Sequence, residues 1–404
     1  MKGNQTPNSA GSYGIQGVSA PSNTPPNRYQ AAYWRDLEGN FWLFGGSSKS
    51  GVNIVLYNDL WKYTVSNNQW TWMGGPQYLS DQNGNFGTQG IPSVNNYPSA
   101  RGNGSICWVD LSGDFWLYAG EGIDALNGIG ILSDLWHYSV STGEWTWVKG
   151  SNQINQPAIY GIQGAANNSN TPGARSETQS GWVDNANHLW MSGGNSSSSS
   201  SLFLGDLWMY NISTNEWTWM KGPNIPNSPG NYGSLGIEDP NNQPPPRWSY
   251  TKWKSNDGNF YTFAGQTQTG SSNDVWQYKP ASNNWTWISG NSTANQNGTY
   301  VSCNPNINSF PSARYENQTA QTVGCSDVFW TFGGRSFSLS NYNDLWIFNT
   351  SNLQWTFVSG NSTLNNPGNF GTQGVPAASN MISARFGVCM WTDTANNVWI
   401  FGGQ

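Results

Sequence analysis

An all-β fold built from a repeated unit of four short antiparallel strands is predicted by three observations. The same strings recur along the 404 residues. Each recurring string is apolar or alternating over four to six residues, the length of a strand and too short for a helix. Turn-forming residues separate the strings, with 48 Gly and 21 Pro as punctuation.

The elements follow in order. Each unit opens on an Arg: Arg28, Arg101, Arg175, Arg247, Arg314 and Arg385, spaced 73, 74, 72, 67 and 71 residues apart. A first strand follows and ends near a Trp (Trp34, Trp108, Trp182, Trp253, Trp391). A turn such as DLEGN at 36–40 or DLSGD at 110–114 comes next; a leading Asp and a late Gly suit a short hairpin loop. The second strand is FWLFGG at 41–46, repeated at 115–120, 189–194, 260–265, 329–334 and 398–403. It is apolar on both faces, so burial on both is expected. The third is NDLWKY at 58–63, repeated at 133–138, 205–210, 273–278 and 343–348. The fourth is WTWM at 70–73, repeated at 145–148, 217–220, 285–288 and 355–358. Alternation places its two Trp on one face and Thr on the other, as in a half-buried outer strand.

The composition fits such a fold. Charged residues are 9% of the chain, against roughly 25% in an average domain. The core must then be aromatic: 25 Trp, 18 Tyr and 16 Phe are present, and each ring buries roughly 150–250 Å². A net charge of −6 lacks the basic footprint of a nucleic-acid binder. No apolar run reaches the roughly 18 residues of a membrane span, and MKGNQTPNSAGSYG has no apolar leader segment. A surface of Asn, Ser, Thr, Gln and Gly points to an extracellular or cell-surface setting.

Four-stranded units at a period near 70, with paired glycines and Trp at fixed offsets, are the mark of a β-propeller. The double glycine after an aromatic strand, followed by the DLW and WTW strings, resembles the kelch repeat and galactose-oxidase-type propellers. Within them it is similar to a secreted or cell-surface variety with GTQG repeats. The expected fold is a single six-bladed kelch-type propeller over 1–404. Its repeat units lie near 14–86, 87–160, 161–232, 233–300, 301–370 and 371–404, the last partial. The units are longer than the roughly 50 residues of a kelch repeat. The excess lies in loops carrying GIQG (14–17), GTQG (87–90), GIQG (161–164), GSLG (233–236) and GTQG (371–374). Recurrence within one chain predicts an ordered loop. The sixth unit has no DLW or WTW string, so its blade is expected to be incomplete. The chain then reads as a fragment of a longer one, with strand donation by another chain as the rival reading.

Site candidates follow. The six Arg could form an anion-binding ring, as the resemblance implies for some kelch domains. The alternative is that each pairs with the repeat Asp (Asp59, Asp134, Asp206, Asp274, Asp344) or packs on a Trp. His137 and His188 fall in peripheral positions of different units, so the copper ligands of galactose oxidase are not recognisable and no metal or cofactor is expected. Loop aromatics Tyr78, Tyr160 and Tyr300 are weak ligand candidates, outside the repeat pattern. Cys303 and Cys325 both mark departures from the repeat and predict a disulfide closing about 22 residues; Cys107 and Cys389 read as buried thiols. Among the N-x-S/T sequons, Asn195, Asn211, Asn291, Asn349 and Asn361 are the glycosylation candidates, Asn195 opening a serine run in an exposed loop.

The expected function is non-catalytic: an extracellular scaffold making protein contacts or self-assembling through its loops and blade edges. A carbohydrate-binding propeller is the first alternative. A galactose-oxidase-like enzyme without recognisable copper ligands is the second.

Overall fold

The computed structural model describes residues 9–50, 53–177, 181–196, 201–301, 305, 308–321, 327–393 and 395–404. The fold is all-β, built mainly of four-stranded antiparallel sheets, and no helix among these residues is long and apolar enough to cross a membrane. Blade 1 pairs Ala32–Arg35, Phe41–Phe44, Leu60–Thr64 and Gln69–Gly74 in that order. Blade 2 pairs Ile106–Val109, Phe115–Tyr118, Leu135–Ser139 and Glu144–Lys149. Blade 3 pairs Gly181–Val183, His188–Asn195, Phe203–Asn211 and Glu216–Lys221. Blade 4 pairs Thr251–Lys254, Phe260–Phe263, Val275–Lys279 and Asn284–Ser289. Blade 5 pairs Gln318–Gln321, Val328–Phe332, Leu345–Asn349 and Gln354–Ser359. Val388–Thr392 and Val398–Gly402 form a two-stranded sixth sheet. The chain divides into two compact units, Met1–Leu202 with Asp206–Asn224, and Phe203–Gly205 with Ile225–Gln404.

Loop chemistry sets the first hairpin of blades 1, 2 and 3 and of the sixth sheet. Asp36 accepts the Asn40 N–H on Oδ1 (2.8 Å) and the Trp42 indole N–H on Oδ2 (2.9 Å). Asp110, Asp184 and Asp393 accept Trp116, Trp190 and Trp399 in the same way, at 2.9, 2.8 and 3.0 Å. One carboxylate thus closes the turn and anchors the Trp of the next strand.

The first blade strand follows the Arg, as expected, but after a break. Gln30, Asn103, Ser249 and Glu316, two residues after their Arg, have φ of 51°, 47°, 50° and 54°. That left-handed residue breaks the extended chain. Arg101 and Arg247 join small separate sheets with Glu121–Ile123 and Gln266–Thr267. One expectation needs correction: the second strand is not always buried on both faces. It is in blades 2 and 4, but Phe41 is half-exposed. Phe115 and Phe329 lie under Trp34 and Trp253 of the preceding blade, at 5.2 and 5.1 Å between ring centroids. Phe41 has no such ring over it among the described residues of its unit.

The core is aromatic, as the composition required. Trp61, Trp136, Trp208, Trp276 and Trp346, the DLW tryptophans, are fully buried. Within the first unit, Trp34 and Trp108 donate their indole N–H to Trp116 O and Trp190 O of the next blade, at 3.2 and 2.9 Å.

Candidate functional site

Five of the six repeat Arg are held inside their own blades. Arg28 meets Asp59 through two parallel bonds, Nη1 to Oδ1 (2.5 Å) and Nη2 to Oδ2 (2.7 Å). Arg101 meets Asp134 at 2.7 and 2.6 Å. Arg175 meets Asp206 at 3.0 and 2.9 Å. Arg247 meets Asp274, and Arg314 Asp344, each at 2.6 and 2.7 Å. All these side chains are buried. Each Nη1 also donates to a carbonyl at the end of the second strand or just past it: Gly45, Ala119, Gly193, Ala264 or Gly333. This explains the glycine pair. Gly45 has φ of 63°, which turns its carbonyl toward Arg28, and Gly46 follows at 96°, a region open mainly to glycine.

The Asp carries more than the Arg. Its Oδ2 accepts the indole N–H of Trp61, Trp136, Trp208, Trp276 or Trp346, all at 2.7–2.8 Å. In four blades it also accepts a tyrosine hydroxyl, from Tyr13, Tyr160, Tyr232 or Tyr300, at 2.7–2.9 Å. Burial pushes the Asp59 carboxyl up, but the Arg28 charge and the bonds from Arg28, Trp61 and Tyr13 outweigh it and hold it below the usual range. Burial, then the Asp charge, raise all four tyrosines, so they stay protonated donors. Tyr160 and Tyr300 are therefore repeat positions and not irregular loop aromatics. The signal was the aromatic directly before the loop glycine at Tyr13, Tyr160 and Tyr232; at Tyr300 the following residue is Val301 and the signal is lost. Tyr78 is exposed.

Arg385 differs. It donates to Ser383 O (3.2 Å), Gly402 O (2.8 Å) and Ser383 Oγ (2.5 Å), with no carboxylate partner among the described residues.

The G-x-x-G loops are ordered, as their recurrence predicted. Gly14, Gly87, Gly161, Gly233 and Gly371 have φ of 59–67°. Their partners Gly17, Gly90, Gly164, Gly236 and Gly374 have φ of 74–82°. In blades 1 to 4 the second glycine donates its N–H to the fourth strand, at Trp72, Trp147, Trp219 or Trp287 O, each 2.8 Å. An Asn further on clamps the turn. Asn23, Asn96, Asn170 and Asn242 each donate from Nδ2 to a loop carbonyl and to Trp70, Trp145, Trp217 or Trp285 O, at 2.8–3.1 Å. With the backbone tied down, the apolar loop side chains face solvent. Ile15, Val18, Ile91, Val94, Ile162, Leu235, Ile237 and Val375 are 50–77% exposed.

The remaining candidates sit as follows. His137 Nε2 lies 3.3 Å from Asp114 Oδ2, and His188 Nδ1 lies 2.9 Å from Asp184 Oδ2. Asp110, Asp114 and His137 bring three ligand-type atoms within 4.8 Å of one another, a set the sequence reading missed because His137 lies 23 residues from Asp114. The carboxylates are already engaged: Asp110 holds Trp116 and two turn N–H groups, and Asp114 Oδ1 accepts the Val140 N–H. Cys303 and Cys325 lie outside the described residues. Cys107 is half-buried, and Cys389 is exposed, not buried as expected, its sheet having only two strands among the described residues. Asn211, Asn291, Asn349 and Asn361 are half-buried. Asn195 ends the second strand of blade 3, bridged to Ser176, and residues 197–200 of the serine run after it lie outside the described residues.

A family model described as the KLHDC2/KLHL20/DRC7 Kelch-repeats domain matches residues 162–368, half of the chain. No curated protein matches the sequence.

Proposed function

The chain belongs to the kelch-repeat family, whose domains typically mediate protein binding, and from that premise we propose a non-catalytic scaffold that binds protein partners through its G-x-x-G loops. One observation carries this reading. All five described loops hold a fixed backbone and present aliphatic side chains to water. A rigid loop binds with less ordering entropy to overcome. Each aliphatic side chain brings about 1.5–3 kcal/mol when fully buried. Five Arg–Asp pairs, by contrast, are buried inside their blades, each guanidinium bonded to a carboxylate and to backbone carbonyls.

The same geometry supports the non-enzymatic reading over a galactose-oxidase-like one. His137 and His188 lie on different blades, each beside its own Asp. The extracellular or cell-surface setting rests on the composition, 9% charged residues with a surface of uncharged polar side chains. The test is a comparative capture. The wild-type chain and an Ile15→Ser/Ile91→Ser/Ile162→Ser/Leu235→Ser variant are used as baits against the surface and secreted proteins of the source cells. The variant is expected to fold normally and lose the partners the wild type retains. An unchanged partner set would sink the reading.

A further inference from the structure

We propose that Asp110, Asp114 and His137 form a binding site for a divalent transition cation of the zinc class at the first hairpin of blade 2. The inference is independent of the loop reading. It rests on the geometry of the three side chains and on what the same corner holds in other blades of the chain.

One ligand atom of each residue lies within 4.8 Å of those of the other two. His137 Nε2 and Asp114 Oδ2 are 3.3 Å apart. A tetrahedral site with bonds of about 2.0 Å has a ligand–ligand edge of about 3.3 Å. Asp110 opens the turn after the first strand, Asp114 precedes Phe115–Tyr118, and His137 stands in the third strand opposite Trp116. The imidazole packs on the Trp116 ring at 4.7 Å between centroids. Asp110 is 7% exposed, whereas the Asp114 and His137 side chains are 24% and 23% exposed. The three ligands therefore converge from the protein side, and solvent can supply a fourth.

The bonds these carboxylates already accept hold their oxygens in place without filling them, since a carboxylate has about four lone-pair sites. Asp110 Oδ1 accepts the Ser112 and Asp114 N–H groups, and Oδ2 the Trp116 indole N–H. Asp114 Oδ1 accepts the Val140 N–H, which leaves Oδ2 facing His137. Donors of this kind are the outer shell that orients a ligating carboxylate.

Blade 1 shows that this corner takes a positive charge and keeps those bonds. Lys62 stands opposite Trp42, as His137 stands opposite Trp116. Its Nζ lies 5.3 Å from the Trp42 ring centroid and 3.5 Å from Asp36 Oδ2, the same oxygen that accepts the Trp42 indole N–H at 2.9 Å. There the cation belongs to the chain itself. Blade 2 puts the His137 imidazole in place of Lys62 and a second carboxylate, Asp114, in place of Asn40. The ammonium is gone, a negative charge is added, and the new side chain is a metal ligand. Blades 3 and 4 carry Met209 and Gln277 in the third strand and His188 and Asn259 in the turn, so neither joins two carboxylates to an imidazole. One imidazole with two carboxylates suits Zn²⁺ and its neighbours better than Ca²⁺ or Mg²⁺, which take all-oxygen shells.

The chain has two histidines, so isotopic labelling of histidine gives two imidazole signals by NMR. The probe is Zn²⁺ alone, added to the full chain after chelator treatment. One equivalent is expected to move and saturate a single imidazole signal, the one that persists in His188→Gln. Calorimetry should show binding weakened at least about tenfold by His137→Gln and by Asp114→Asn, and unchanged by His188→Gln. Gln277 and Asn40 stand at the two altered positions in blades 4 and 1, so both variants should fold; equal melting temperatures without metal check this. Zn²⁺ should raise the melting temperature of the wild type and of neither variant. Co²⁺ in place of Zn²⁺ should give the visible spectrum of a nitrogen–oxygen site, and excess Ca²⁺ should not displace it. An unmoved His137 signal would overturn the proposal. So would shifts of both imidazoles without saturation (an adventitious ion only), a thiolate band in place of the nitrogen–oxygen spectrum, or affinity indifferent to His137→Gln.

Discussion

Replacing Asp59 by Ala isolates what the repeat carboxylate contributes. The change removes four acceptor contacts at once: two to Arg28, one to the Trp61 indole and one to the Tyr13 hydroxyl. The Arg28 side chain is 4% exposed, so its charge cannot turn to water. Breaking one half of a buried ion pair costs about 3–5 kcal/mol, because a charge is left unpaired. At roughly 2–4 °C per kcal/mol for a unit of this size, the melting temperature should fall by about 6–20 °C. Urea unfolding followed by Trp fluorescence reads the same loss. Lys279 and Glu238 form the comparison pair, 2.9 Å apart but 39% and 28% exposed. Glu238→Gln should cost no more than about 1 kcal/mol. If Asp59→Ala costs no more than Glu238→Gln, the reasoning is refuted. A replacement of both partners by apolar residues, Arg28→Met with Asp59→Leu, should recover much of the loss.

Three other outcomes follow from the same contacts. Asp59 titrates below its unfolded value near 3.9, so its contribution is complete above about pH 5 and fades as pH falls through that value toward the lower folded one; denaturation at pH 7, 5 and 3 should show it for the wild type and not for Asp59→Asn. Gly87→Ala should cost about 2–4 kcal/mol, since φ is 59° and the new Cβ would strike the Asn96 side chain, whereas Gly90→Ala, with φ of 82° and open space around it, should cost only about 1–2 kcal/mol. Asn96→Ala should speed amide exchange across 87–96 while leaving the strands of blade 2 protected, because its two bonds, to Ile91 O and Trp145 O, hold the loop rather than the sheet.

The blades were legible because their strings repeat and their apolar pattern matches a strand period. The Arg–Asp pairing was legible as one of two readings, since both residues recur with the blade. The tyrosine on that Asp was not, because 42 to 46 residues separate Tyr13, Tyr160, Tyr232 and Tyr300 from their partners. The role of the Asn clamp was hidden for the same reason: Asn23 reaches Trp70 across 47 residues. The left-handed residue after each Arg escaped notice because Gln, Asn, Ser and Glu share no visible propensity for it.

The central claim is that the loops, not the Arg–Asp clusters, make the contacts. Hydrogen exchange of the chain, free and saturated with a captured partner, tests it directly. Slowed exchange within 14–18, 87–94, 161–165, 233–237 and 371–375 is the predicted footprint. Slowing confined to segments outside those loops would contradict it.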